Sequence, residues 1–133
     1  MIDSKIIKIA SNTKFYGLKN VFTHKANIKN KQCGDIITIE LVVKKSIIHE
    51  MRYETESCVF CQASASLLAN KINLFGIKNI KKDINMLCKS LINKNIKLPK
   101  KFSTYKILIN NKNISRFDCI MLPFSGLIKA LSI

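Results

Sequence analysis

The sequence predicts an α+β fold, a three-stranded antiparallel sheet covered by helices, with residues 1–133 forming a single domain. Two adjacent stretches alternate with a period of two, Asp35 to Val43 and Ile47 to about Thr55, and only Lys44-Lys45-Ser46 separates the two runs, which predicts a hairpin. After Cys58 the apolar period lengthens to three and four, which predicts helices. A chain of 133 residues that is 47% hydrophobic can bury one core and little more.

Residues Asp3 to Asn12 read as a short helix with Ile6, Ile7, Ile9 and Ala10 on its apolar side, broken at Gly17. A first strand is expected over Val21 to Ile28, with Phe22, Ala26 and Ile28 on one face. In the second strand Ile37, Ile39, Leu41 and Val43 alternate with Ile36, Thr38, Glu40 and Val42. In the third, Ile47, Met51 and Tyr53 should face inward and Glu50, Arg52 and Glu54 outward. A helix follows from Cys58 to Ile72, its first half lined by the small residues Ala63, Ser64, Ala65 and Ser66, which allow close approach to whatever lies beneath. Ile77, Ile80, Ile84, Leu87 and Leu91 predict a further helix over Ile77 to Asn93. Pro99 marks a connection, residues 102–109 one more short helix, and Asn110 to Ser115 a polar loop. The last helix is expected to begin near Pro123 and to bury Phe124, Leu127, Ile128 and Leu131.

The net charge of +15 rests on 21 Lys and only two Arg, Arg52 and Arg116. Lysine spread over solvated faces, with few guanidinium forks to pair with guanine, argues against a reader of nucleic-acid bases. No run of eighteen apolar residues exists, which argues against a spanning helix, and no secretory leader is visible, so a cytoplasmic protein is expected.

Chemistry concentrates in five cysteines, at 33, 58, 61, 88 and 119. An odd number in a reducing compartment points to metal or thiolate chemistry rather than structural disulfides. A hairpin turning at Lys45 sets residue 35 opposite about 55 and residue 33 opposite about 57. Cys33 and Asp35 are then carried to Cys58 at the open end of the hairpin. Cys58 also stands where strand gives way to helix, and a helix N-terminus favours a thiolate. Cys119, just before the last helix, is a candidate fourth ligand. Three thiolates and one carboxylate suit zinc or an iron–sulfur cluster, with the carboxylate the natural exchange point. Cys88 reads as a small core hydrophobe, His24 and His49 as surface or half-buried residues, and Cys58-Val59-Phe60-Cys61 as a single CxxC open to a thiol–disulfide reading.

At these residues the chain resembles the U-type iron–sulfur cluster assembly proteins, the family of the NifU N-terminal domain, IscU and SufU. The resemblance is carried by Lys31-Gln32-Cys33-Gly34-Asp35, by Ser57-Cys58 followed by the Ala- and Ser-rich stretch 59–66, and by Arg116-Phe117-Asp118-Cys119. It implies Cys33, Asp35, Cys58 and Cys119 as ligands of a transient iron–sulfur cluster or of Zn²⁺. Its implied partners are a cysteine desulfurase of the SufS or IscS kind and apo iron–sulfur acceptor proteins; no membrane partner is expected, and the lysine-based charge argues against nucleic acid. IscU proteins carry a His before the third Cys and a Leu-Pro-Pro-Val-Lys segment upstream, whereas this chain has Asp118 and Asn113-Ile114-Ser115-Arg116. Arg116 and the 61 residues from Cys58 to Cys119 look more like the SufU branch. The usual Pro before Cys-Gly-Asp is absent, Ser57 stands for a Gly, and Cys61 replaces a residue that is commonly Ser or Gly. The implied role is a scaffold or a sulfur acceptor; where catalytic, it would be a sulfurtransferase-type relay with Cys119 as persulfide carrier and Arg116 supporting its thiolate. Zinc-dependent persulfide transfer without a scaffold role is the alternative. A basic nucleic-acid module and a thiol–disulfide protein on Cys58 and Cys61 are the competing classes.

Overall fold

The computed structural model describes residues 3–92 and 98–132. Its order is α1 (Ser4–Ala10), β1 (His24–Lys29), β2 (Ile36–Lys44), β3 (Ile47–Glu56), α2 (Val59–Asn70), α3 (Ile77–Ile92) and α4 (Phe117–Leu131), with 3₁₀ turns between the later helices. The strands form one antiparallel sheet in the order β1-β2-β3. One core joins sheet and helices: Ile37, Ile39, Leu41, Met51 and Tyr53 meet Leu68, Phe75, Phe102, Phe124 and Leu127. The α+β expectation holds.

Asp3 caps α1 by accepting from the Lys5 amide at 2.8 Å, and Ile6 is its one fully buried residue. Ile7 stays exposed, because a helix of two turns presents only one side to the core. β1 begins at His24, three residues later than the pattern suggested. Val21 and Phe22 lie outside it and are exposed, with Lys25 Nζ 5.2 Å over the Phe22 ring.

The hairpin turns on Lys45 and Ser46, both at positive φ (52° and 63°), as a two-residue turn of the twist-compatible kind requires. A bulge between Val42 and Val43 then shifts the register, Val43 pairing with Ile48 but Val42 with Glu50. The extra residue reverses which side chains point inward near the tip. Ile48 is therefore buried and Ile47 exposed, the reverse of the alternation expected for Ile47. Turn and bulge together move the pairing two residues along, so that Ile36 faces Glu56.

Glu40, expected on the outward face, is 1% exposed. The segment before β1 folds over that face, and the Glu40 carboxylate accepts from the Lys19 and Asn20 amides at 2.9 and 3.2 Å. Lys25 Nζ stands 3.7 Å from its other oxygen. Arg52 ties down the same segment, donating to the carbonyls of Gly17 and Tyr16 at 2.9 and 2.8 Å.

Helices α2 and α3 follow the pattern closely. Ala63, Ser64, Ala65 and Ser66 are all buried in α2, and Ile80, Ile84 and Leu87 in α3, while the Leu91 side chain and Asn93 lie outside the described residues. The short helix expected at 102–109 is a 3₁₀ helix over Lys100–Ile107, and the expected loop after Asn110 is a second, Asn111–Arg116. α4 begins at Phe117, six residues before Pro123, which lies inside it. An interior proline costs roughly 3 kcal/mol. Burying Ile120 and Leu122 ahead of it, at about 1.5–3 kcal/mol each, outweighs that. Ser64 Oγ also donates to the Ile120 carbonyl at 2.6 Å, three residues before the proline, where a proline-containing helix loosens.

Candidate metal and thiol centre

Three segments converge at the open end of the hairpin. The β1–β2 connection brings Cys33 and Asp35. Its shape is set locally: the Asn30 side chain accepts from Gln32 at 2.9 Å, Gly34 donates to the Asn30 carbonyl at 2.8 Å, and Asn30 donates to the Asp35 carbonyl at 2.8 Å. Gly34 sits at φ +78°, and a Cβ there would meet nothing within 4 Å, so backbone conformation and not space calls for glycine. Cys33 is left exposed on this turn and Asp35 is buried at its foot.

The β3–α2 junction brings Cys58 as the N-cap of α2. Its backbone amide donates to Asp35 Oδ2 at 3.4 Å, and its thiol makes no capping bond. The junction is held by Thr55, whose hydroxyl donates to the Ile36 carbonyl at 2.6 Å and bonds Ser57 Oγ at 2.8 Å, and by Gln62, which donates to the Ser57 carbonyl at 2.8 Å.

The first turn of α4 brings Cys119, a helix residue rather than one in the preceding loop. Asp118 beside it is an acidic residue in a first turn, the one local sign of where this helix starts. The small residues of α2 let α4 close in, and the Tyr105 hydroxyl donates to the Ser64 carbonyl at 2.9 Å beneath them.

The sulfurs of Cys33 and Cys119 and a carboxylate oxygen of Asp35 all lie within 4.8 Å of one another. Ligands around a tetrahedral zinc with thiolate bonds of ~2.3 Å sit ~3.8 Å apart. Two soft sulfurs and a carboxylate at this separation fit Zn²⁺ or iron after a small inward closure. Cys58 falls outside that mutually close triplet, but its thiol lies close enough to Cys119 to act on it. Burial pushes the Cys119 thiol well up, and the neighbouring Cys58, Cys33 and Asp35 add to it. A metal ion placed among these groups would favour the thiolate instead.

Cys61 lies beneath the site, fully buried. Burial raises its thiol to about 12, against the neighbouring Ser57 and Thr55 hydroxyls, which pull the other way. Cys88 is half-buried at the edge of the core, and burial raises its thiol too. His24 is half-buried and His49 exposed. Arg116 holds its guanidinium 5.8 Å over the Phe60 ring. Both residues line an open cleft of about 1420 Å³, together with Lys112 and Asn110, and none of the four candidate ligands lines it. Phe60 was not legible as part of this neighbourhood, because its partner stands 56 residues away and no local pattern links the two.

Residues 1–114 match the NifU-like N terminal domain family, a span that holds Cys33, Asp35 and Cys58 and stops short of Cys119. A curated relative, the iron–sulfur cluster assembly scaffold protein IscU of Thermotoga maritima, is 36% identical over 72 residues. That alignment covers 54% of this chain and 51% of the relative, so the match spans about half the length of each. Among solved structures, a NifU-like protein (N-terminal) from Brucella abortus superposes with a TM-score of 0.82 at 18% identity, over 98% of this chain and 91% of that one. An iron–sulfur cluster assembly scaffold protein for the SUF system from Fervidobacterium islandicum gives 0.75 at 20% identity, over 97% and 95%. At these identities the structural likenesses show the fold.

Proposed function

The chain belongs to the NifU-like N-terminal domain family, and from that premise we propose that it assembles iron–sulfur clusters as a scaffold that receives sulfur on Cys119. The observation that carries this reading is the convergence of Cys33, Asp35 and Cys119 within 4.8 Å, from segments up to 86 residues apart in sequence. Iron and sulfur are the cargo. Cys33, Asp35, Cys58 and Cys119 are the residues that would hold them, and Zn²⁺ fits the same donors. Residues 1–133 act as one assembly domain in the cytoplasm, and among the described residues no helix is long and apolar enough to cross a membrane.

The sulfur donor is a cysteine desulfurase carrying a persulfide. Cys119 attacks the outer sulfur of that persulfide, the donor leaves as its thiol, and Cys119 becomes Cys119–S–SH. Arg116, exposed three residues before Cys119 and with no ion pair among the described residues, offers a fixed positive charge to the incoming anionic sulfur. Apo iron–sulfur proteins are the acceptors.

A second reading, zinc-dependent sulfur transfer without a scaffold role, is supported by Arg116 and by Asp118 standing directly before Cys119. Metal and acid-labile sulfide content of anaerobically purified protein separates the two, read together with absorption over ~300–600 nm. Iron with sulfide and thiolate-to-iron bands supports the scaffold. Zinc without sulfide, in protein that still takes persulfide on Cys119, selects transfer alone. Protein that takes up neither metal nor sulfur refutes both.

A further inference from the structure

The site contains two thiols of very different exposure within reach of each other. Cys119 is 6% exposed in the first turn of α4, whereas Cys33 is exposed on the turn before Gly34. Their sulfurs lie within 4.8 Å. A disulfide needs ~2.05 Å, and the side that must close the gap is a surface turn, not the packed helix. Of the other thiols, Cys58 also lies against Cys119, but from the half-buried start of α2 rather than from an exposed turn, and Cys61 is fully buried.

We propose that Cys33 is a resolving thiol for Cys119, displacing a sulfane sulfur from it as sulfide. This rests on the sulfur-acceptor reading above. The Cys33 sulfur attacks Sγ of the Cys119 persulfide, the bond from Sγ to the outer sulfur breaks, and the outer sulfur leaves as hydrosulfide with the proton given up by the Cys33 thiol. The products are one H₂S and a Cys33–Cys119 disulfide. The sulfane sulfur gains two electrons, and the two cysteine sulfurs each lose one. A thiol or dithiol reductant from outside resets the pair, and the exposed Cys33 half of the bridge gives it access. Sulfur held on the chain is thereby converted to sulfide without an electron donor bound at the moment of release.

The test uses metal-free, reduced protein in two arms. In the first, inorganic polysulfide loads the thiols, excess is removed, and released sulfide is followed while peptide mapping locates sulfane sulfur and disulfides. Wild type should release sulfide as a Cys33–Cys119 bridge forms. Cys33→Ser, at an exposed position, should keep its sulfane sulfur on Cys119 and release sulfide about tenfold or more slowly, since the intramolecular attack is gone. Cys88→Ser, half-buried at the edge of the core and outside the site, should behave as wild type. Equal release from Cys33→Ser and wild type overturns the proposal, and so does a bridge that maps to Cys58. In the second arm, oxidised glutathione without added sulfur should produce the same Cys33–Cys119 bridge, and a different pairing overturns the proposal. Absence of sulfane sulfur from Cys119 in every variant refutes the sulfur-acceptor reading itself. That result is distinct from Cys119 carrying sulfur that Cys33 does not remove.

Discussion

At Gly126 α4 lies close against the sheet, and replacing it with alanine tests how tightly Cys119's helix is seated. A Cβ there would lie 2.9 Å from Ile39 Cδ1, 3.3 Å from Ile28 Cγ2 and 3.7 Å from Ile37 Cγ2. Carbon atoms pack best at ~3.5–4.0 Å, so the Ile39 methyl must retreat by about 0.6 Å or more. Ile39 is fully buried, so its methyl can retreat only against neighbouring core atoms. Overpacking of this kind costs roughly 1–3 kcal/mol. Alanine recovers about 1 kcal/mol of helix propensity over glycine. The net expectation for Gly126→Ala is a loss of about 1 kcal/mol, a fall in Tm of roughly 4 °C for a chain of this size. Urea unfolding of metal-free protein measures it. The double variant isolates the cause, because Ile39→Val deletes the clashing Cδ1. Alone that change costs about 0.5–1.5 kcal/mol, but combined with Gly126→Ala the two losses should fall short of their sum by about 1 kcal/mol. A Gly126→Ala protein more stable than wild type, or strict additivity in the double variant, would refute the reasoning.

Other perturbations probe the site and its supports. Asp35→Ala removes the carboxylate from a donor set otherwise made of thiols, so a reconstituted cluster should persist longer and pass more slowly to an apo-acceptor; faster decay in the variant refutes the exchange role. Cys61→Ser and Cys88→Ser should each leave Zn²⁺ affinity within about tenfold, whereas loss of the site in Cys61→Ser would make Cys61 a ligand. Glu40→Ala strands the Lys19 and Asn20 amides at a cost of roughly 1–3 kcal/mol, read as faster hydrogen exchange at those two amides and quicker proteolysis before β1. Burial pushes the Tyr105 phenol up, so the folded chain keeps its proton after the unfolded chain has begun to ionise near pH ~10. Its contribution is therefore complete below that pH and declines as pH rises further. Tyr105→Phe should flatten this alkaline loss, and an unchanged pH slope counts against it.

Local patterning alone determined a good part of this molecule. The period-two runs around Lys45 and the period-3.6 runs after Cys58 fixed one hairpin, the helices that cover it and the end at which Cys33, Asp35 and Cys58 meet. Alternation and turn chemistry act over a few residues, so they can be read without knowing the partner surface. Tertiary structure decided the rest. The Val42–Val43 bulge sends Ile48 inward and Ile47 out, because filling the core outranks strict alternation. Glu40 is buried by a segment some twenty residues upstream that supplies the amides its charge needs. α4 runs through Pro123 because burying Ile120 and Leu122 outweighs one missing hydrogen bond, and that extension makes Cys119 a helix residue within reach of Cys33. Contacts such as Arg116 over Phe60 join residues with no local relation, and only the packed chain brings them together.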